Sequence, residues 1–258
     1  MSIRIDVADG VGILTLDNPD RRNVLNSDTV QEIIGAFEDF ETADSGVTAV
    51  IVTGAPPAFC AGADLSSLQA NSETAKSGGG EASMRSIYDG FLRVGRSPLP
   101  TIAAVNGAAV GAGMNLAMCC DVRIAGRRAK FDTRFLQLGL HPGGGHTWML
   151  ERIVGPQAAS AMVLFGEVLD GEAAVRAGLA WRVVDDDALL DTAKELAGRA
   201  AAAPRELVKR VKQTLKAVQT VDDHEEAVDV ELTAQMWSLA QPEFRERVAA
   251  LQKKISSR

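Results

Sequence analysis

The stretch Val105-Asn106-Gly107-Ala108-Ala109-Val110-Gly111-Ala112-Gly113-Met114-Asn115 constrains this chain most. An apolar strand ends at Asn106-Gly107, and a Gly-Ala-Gly segment then opens a helix. The first N–H groups of a helix lack intrahelical acceptors and carry its positive dipole end. Small residues there let a ligand oxygen approach the backbone. A tight turn for close strand–helix packing would use the same residues. A dinucleotide-binding turn fits poorly, because Leu116 stands where the third glycine of that motif is required.

Residues 3–7 and 11–16 read as strands joined by Asp9-Gly10, a hairpin signal. Residues 27–44 carry Val30, Ile33, Ile34, Phe37 and Phe40 on one helical stripe. Residues 48–53, 101–105 and 121–125 read as short buried strands. Such alternation predicts an α/β protein with a parallel sheet covered on both faces. The polar stretch 66–82 is expected to be a mobile excursion, followed by a helix over 84–96 that stops before Pro98. From about residue 145 the pattern is mostly helical, and Pro156, Pro204 and Pro242 suit first helical turns. Trp148 and Met149 are expected to pack near the start of such a helix. The division expected is a core over 1–195 and a helical region over 196–258, too thin to bury itself alone.

The chain has 258 residues, enough to bury roughly 70–75% of its unfolded surface. Its formal charge of −7 argues against nucleic acid as the main partner. No run reaches the ~18 apolar residues of a membrane helix. Residues 1–7 alternate like a strand and lack an apolar signal core, so a cytoplasmic protein is expected. Cys60, Cys119 and Cys120 are too few and too close for a disulfide framework.

A second loop, Phe59-Cys60-Ala61-Gly62-Ala63-Asp64-Leu65, also follows a buried strand. Two such loops at the same end of a parallel sheet can aim two amides at one carbonyl oxygen, the geometry that stabilises an enolate. With Pro19-Asp20-Arg21-Arg22-Asn23-Val24-Leu25-Asn26, Leu138-Gly139-Leu140-His141-Pro142-Gly143-Gly144-Gly145 and Ala177-Gly178-Leu179-Ala180, these loops resemble the crotonase (enoyl-CoA hydratase/isomerase) superfamily over nearly the whole chain.

That resemblance implies a spiral of ββα turns with a helical C-terminal region, assembled as a homotrimer or hexamer. It implies an acyl-CoA or enoyl-CoA substrate, with no cofactor beyond the coenzyme A of that substrate. The oxyanion hole would be the backbone N–H of Ala63 and of Ala112. Arg22 and Asn23 would line the CoA side, Ala61 and Asp64 the adenine end, and Lys254 would reach a phosphate unless it is only a solvated helix residue. Leu65 and Phe135 complete the substrate-contacting set.

The two hydratase glutamates of the family fall at Asn115 and Phe135. An amide is no useful base at neutral pH, and phenylalanine carries no proton to give. Some relatives carry an aspartate where this chain has Gly143. Loss of both carboxylates removes general acid–base steps, commonly ~10²- to 10⁴-fold each. His141, His146 and Asp132 are the candidate replacements, with Asn115 positioning substrate or water. Each has an ordinary structural use too: a loop histidine, or a salt bridge from Asp132 to Arg134. A metal site on the two histidines lacks a clear third ligand. Two functions follow: an enzyme working through an enolate, or a non-catalytic acyl-CoA carrier or sensor.

Overall fold

The computed structural model describes residues 1–256. Strands β1 (Ile3–Ala8) and β2 (Val11–Leu16) pair antiparallel, with Ala8 opposite Val11. The two residues between them turn the chain with positive φ, 51° at Asp9 and 77° at Gly10, as a primed hairpin turn requires. Helix α1 (Ser27–Glu41) starts where the Asn26 side chain accepts from the Thr29 N–H at 2.9 Å. It buries Val30, Ile33, Phe37 and Phe40. It stops three residues short of the expected 44, because the Ser45 hydroxyl turns back to the Phe40 carbonyl at 2.7 Å.

The chain then repeats one circuit. Strands β3 (Ala49–Gly54) and β4 (Ala58–Cys60) precede α2 (Leu65–Ala75) and α3 (Glu81–Arg96). Strands β5 (Thr101–Val105) and β6 (Ala108–Val110) precede α4 (Ala112–Cys119). Strands β7 (Val122–Gly126) and β8 (Lys130–Asp132) precede α5 (His146–Phe165). In each pair the first strand joins the large sheet and the second a small one. β3, β5 and β7 are successive parallel neighbours, and so are β4, β6 and β8. Each circuit therefore advances by one strand in both sheets, which makes the spiral of ββα turns. Strand β9 (Leu169–Asp170), α6 (Gly171–Arg176) and β10 (Arg182–Val184) finish it. The large sheet runs β1-β2-β3-β5-β7-β10 and the small one β4-β6-β8-β9.

The large sheet buries side chains on both faces. Val50 and Val52 face the main core with Phe37, Phe59, Phe91, Met114 and Phe131. Ile51 points the other way, with Ile13, Ile102 and Ile124, and is covered by Leu189, Ala193 and Ala197 of α7 (Leu189–Ala201). This is the period-2 alternation of a sheet covered twice.

Two segments differ from expectation. The polar 66–82 stretch is not an irregular excursion. Asp64 caps α2 by accepting from the Ser66 N–H at 2.9 Å, and α3 begins at Glu81 after a turn around Gly78–Gly80. A helix can form there without burying any residue fully, which is why its apolar pattern is faint. α5 breaks at Gly155 (φ 77°, ψ 168°), so Pro156 starts its second half, in the first-turn position expected for it. Trp148 does not pack inward; it is exposed, with the Arg152 guanidinium 4.2 Å above its ring.

Helices α8 (Arg205–Ala217), α9 (His224–Leu239) and α10 (Pro242–Ser256) complete the chain. Pro204 immediately precedes α8 and Pro242 opens α10. α8 is held to the core by Lys212, which is buried and reaches the Leu99 carbonyl at 2.7 Å and Asp121 at 2.6 Å. Arg205 adds donations to the Val47 and Phe40 carbonyls. Among the described residues no helix is long and apolar enough to cross a membrane.

Candidate active site

The two small-residue loops leave adjacent parallel strands. β4 pairs with β6 through Ala58–Ala108 and Cys60–Ala109, so the loops that follow emerge at the same end of the small sheet. Their approach is close enough to require glycine. A Cβ on Gly113 would lie 2.1 Å from the Cys60 carbonyl oxygen. A Cβ on Gly62, whose φ is 93°, would lie 2.6 Å from the Val110 oxygen and 3.4 Å from the Ala112 nitrogen. Gly62 is thus seated beside the start of α4.

Backbone pairing decides which amides are left over. The Leu25 N–H donates to the Gly62 carbonyl (2.8 Å), and the Asp64 N–H donates to the Leu25 carbonyl (3.1 Å). In such a parallel bridge the middle residue, Ala63, turns its own N–H away from the partner strand. The Ala112 N–H is the first of α4, and Gly111 supplies no side-chain cap. Two amides without backbone acceptors therefore stand on neighbouring loops, one at a helix N-terminus. This is the donor pair that an oxyanion needs.

One turn into α4 lies Asn115, fully buried. Its Nδ2 donates to the Gly143 carbonyl at 3.0 Å, and its Oδ1 lies 2.6 Å from His146 Nδ1. The first bond makes Oδ1 the acceptor in the second. His146 Nδ1 therefore carries the proton, and Nε2 is a bare lone pair. That Nε2 is buried and has no hydrogen-bond partner. Burial lowers the His146 pKa to about 4, which keeps the ring neutral. The Phe135 ring packs edge-on against the imidazole, with centroids 4.9 Å apart, and also lies over Gly111. The position that resembles the second glutamate is thus an apolar wall of the histidine pocket.

The other candidates separate from this group. The Asp132 carboxylate is buried and held by Arg134 through Nε at 2.8 Å and a second contact from Nη2, so it serves the loop at Arg134, where φ is 51°. His141 is exposed, and its Nδ1 faces the adjacent Pro142 carbonyl at 2.7 Å. Only His146 of the two histidines meets Asn115. Among the described residues no group of three His, Cys, Asp or Glu is placed to hold a metal ion.

On the expected CoA side, Arg22 is exposed in a left-handed conformation (φ 53°), and its carbonyl accepts from the Ala61 N–H at 2.9 Å. The Asn23 side chain is turned inward. It donates to the Ala55 and Ala58 carbonyls, each at 2.8 Å, and accepts from the Asn18 N–H at 2.9 Å. Asn23 therefore ties the early loop to β4, and its own N–H donates to the Asn18 carbonyl at 2.9 Å. Asp64 is also occupied. The Ser66 hydroxyl, above all, and Arg21 hold its carboxyl below the usual range. Leu65 is exposed at the start of α2, and Lys254 is exposed in the last turn of α10.

Sequence reasoning missed Tyr88. Its hydroxyl stands where a Cβ on Gly143 would be, 2.3 Å from that position. The available signal was modest: Tyr88 is the only tyrosine of the chain and sits three residues from Phe91 on α3.

The family model for enoyl-CoA hydratase/isomerase matches residues 6–256. The chain belongs to that family. It is similar to a Mycobacterium tuberculosis protein named "Probable enoyl-CoA hydratase EchA14", 49% identical over 255 residues, or 97% of each chain. It is also similar to the 1,2-epoxyphenylacetyl-CoA isomerase of Escherichia coli, 35% identical over 97% of this chain and 95% of that one. Among solved structures, an enoyl-CoA hydratase from Polaromonas sp. JS666 superimposes with a TM-score of 0.89 at 29% identity, covering 98% of this chain and 97% of that one. The crotonase fold is thus shared along essentially the whole length.

Proposed function

We propose that this enoyl-CoA hydratase/isomerase family member removes and returns a proton next to the carbonyl of an acyl-CoA or enoyl-CoA thioester, and that it is a poor conventional hydratase. The thioester oxygen sits between the Ala63 and Ala112 amides. A proton leaves the acyl chain for His146 Nε2, and the electron pair passes to that oxygen as an enolate. Return of the proton to a different carbon shifts a double bond; return to the same carbon gives exchange. No redox partner is needed, and coenzyme A enters only as part of the substrate.

The observation that carries this reading is the orphaned, unprotonated Nε2 of His146, buried behind Asn115. A pKa of about 4 makes it a weak base on its own. An enolate forming in the same enclosed space favours the imidazolium and strengthens the base as the reaction proceeds. Asn115 holds the ring but brings no charge to it. Water activation by two carboxylates has no counterpart at Asn115 and Phe135, which supports isomerisation or exchange over hydration.

The test is α-carbon deuterium uptake from heavy water, followed by mass spectrometry on a panel of saturated and 2-unsaturated acyl-CoAs. Uptake by the wild type that is lost in His146→Gln is the expected result. Uptake that persists in His146→Gln removes the histidine from the mechanism. Binding without any uptake favours the second reading, a non-catalytic acyl-CoA carrier or sensor, which the two missing glutamates support.

The assembly proposed is a homotrimer or hexamer. Its support is the set of exposed apolar side chains on the last two helices, including Met236, Leu239, Leu251 and Ile255. A cytoplasmic setting is proposed from three unpaired thiols, of which Cys60 and Cys120 are buried.

A further inference from the structure

The turn that delivers His146 has no side chain of its own with which to hold its place. Gly143, Gly144 and Gly145 follow one another, with φ 67° at Gly144 and 81° at Gly145. Such a stretch has the widest conformational freedom a chain offers, so its course is set by what it touches. What it touches is α3. A Cβ on Gly143 would lie 2.3 Å from the Tyr88 hydroxyl and 3.2 Å from the ring carbon that bears it. The backbone at Gly143 is not left-handed, so the Tyr88 ring, rather than strain, excludes a side chain there. A Cβ on Gly144 would lie 2.5 Å from Phe91 Cζ and 3.2 Å from Asn115 Nδ2. The two rings lean on each other, 5.7 Å between centroids, and Phe91 is fully buried.

One atom of Gly143 serves both members of the site's pair. Its carbonyl accepts the Asn115 amide at 3.0 Å and the His146 main-chain N–H at 3.3 Å. The first bond fixes which way the Asn115 amide faces, and so which nitrogen of His146 carries the proton. With the carbonyl moved away, the amide is free to turn its nitrogen toward the ring. The imidazole proton then moves to Nε2, the atom that must be bare to act as a base.

Resting on the proton-transfer reading above, we propose that Tyr88 is a positioning residue. Its ring, braced by Phe91, holds the Gly143 carbonyl against Asn115 and thereby keeps His146 Nε2 free to accept a proton. It acts through Gly143 and Asn115, and no proton passes through its hydroxyl.

The experiment is nitrogen NMR of the His146 ring at neutral pH in the full chain, which reads the tautomer directly. Wild type is compared with Tyr88→Ala, Gly143→Ala, and Gly143→Ala combined with Tyr88→Phe, each checked for its fold by circular dichroism. The wild type is expected to be protonated at Nδ1. Tyr88→Ala removes the brace, and Gly143→Ala sets a methyl against the hydroxyl. In each the share of ring protonated at Nε2 is expected to rise about three- to tenfold, the worth of one hydrogen bond. Adding Tyr88→Phe to Gly143→Ala removes the colliding oxygen and is expected to return the share toward that of wild type. Deuterium uptake into butyryl-CoA should fall and recover in step. A wild type protonated at Nε2, an unchanged tautomer in the folded single variants, or a shift in Gly143→Ala that Tyr88→Phe does not reverse overturns the proposal. The expected tautomers in a wild type that takes up no deuterium support the positioning role and overturn the proton-transfer reading instead.

Discussion

Asn115 Oδ1 accepts from His146 Nδ1 at 2.6 Å across 31 residues of sequence, and this bond sets the tautomer of the only histidine inside the site. The acceptor is neutral. An ionised partner in its place would stabilise the imidazolium. Asn115→Asp is therefore expected to raise the His146 pKa by about one to three units from its value of about 4. Titration of the ring carbons by NMR checks this, and an unchanged midpoint would contradict the arrangement.

Phe135 contributes to the dryness that lowers that pKa. Truncation by Phe135→Ala admits water to the ring edge, and the titration is expected to move up toward 6.5. No movement would mean that other walls of the pocket do the excluding.

The same shift makes folding depend on pH. His146 titrates near 4 when folded and near 6.5 when unfolded, so between those values the unfolded chain binds more protons. Stability from this group is present above pH 6.5 and is lost as pH falls toward 4. Its contribution to the difference between pH 7.5 and pH 5 is about 2 kcal/mol. Urea unfolding of wild type and His146→Gln at both pH values isolates it: the wild type should lose about that much more than the variant.

Gly113 packs directly on the Cys60 carbonyl, so Gly113→Ala forces β4 and α4 apart. The expected loss is about 3 kcal/mol of stability, with acyl-CoA binding weakened because the Ala63 and Ala112 amides no longer converge. Denaturant midpoints and titration with butyryl-CoA check the two effects; a variant as stable as wild type would refute the close approach.

Lys212 tests the attachment of the C-terminal helices. Lys212→Ala leaves the Leu99 carbonyl without its side-chain donor and removes the ion pair to Asp121, which keeps its hydrogen bonds from Thr101, and is expected to remove about 2 kcal/mol. Thermal unfolding measures it, and a change below the scatter of surface substitutions would show that α8 is held by other contacts.

Much of the framework was legible because it is local. Asp9-Gly10 specifies a hairpin turn, the β-branched run up to Thr53 a buried strand, and Gly113 a close approach. The small sheet was not legible. Its strands are two or three residues long, too short to show a period, and they exist because neighbouring circuits offer them partners. α2 was missed because it buries no residue fully and so lacks an apolar stripe. At the site, the two loops declared themselves through glycine and alanine spacing. What separates His146 from His141 is the packing of α4 against the start of α5, and what brings Tyr88 to Gly143 is the packing of α3. Neither relation has a local pattern. The inward turn of Asn23 and the seizure of Asp132 by Arg134 likewise depend on which acceptors the fold happens to set nearby.

The pairing of β4 with β6 gives the two amide-bearing loops a common ruler. Their spacing is inherited from an interstrand repeat of about 4.8 Å rather than from any reactive group. On the proposed function, the part that grips a carbonyl is main chain, and the part that moves protons is replaceable side chain around it. A chain built this way can exchange a carboxylate for an amide, or a wall for a donor, without redrawing the grip.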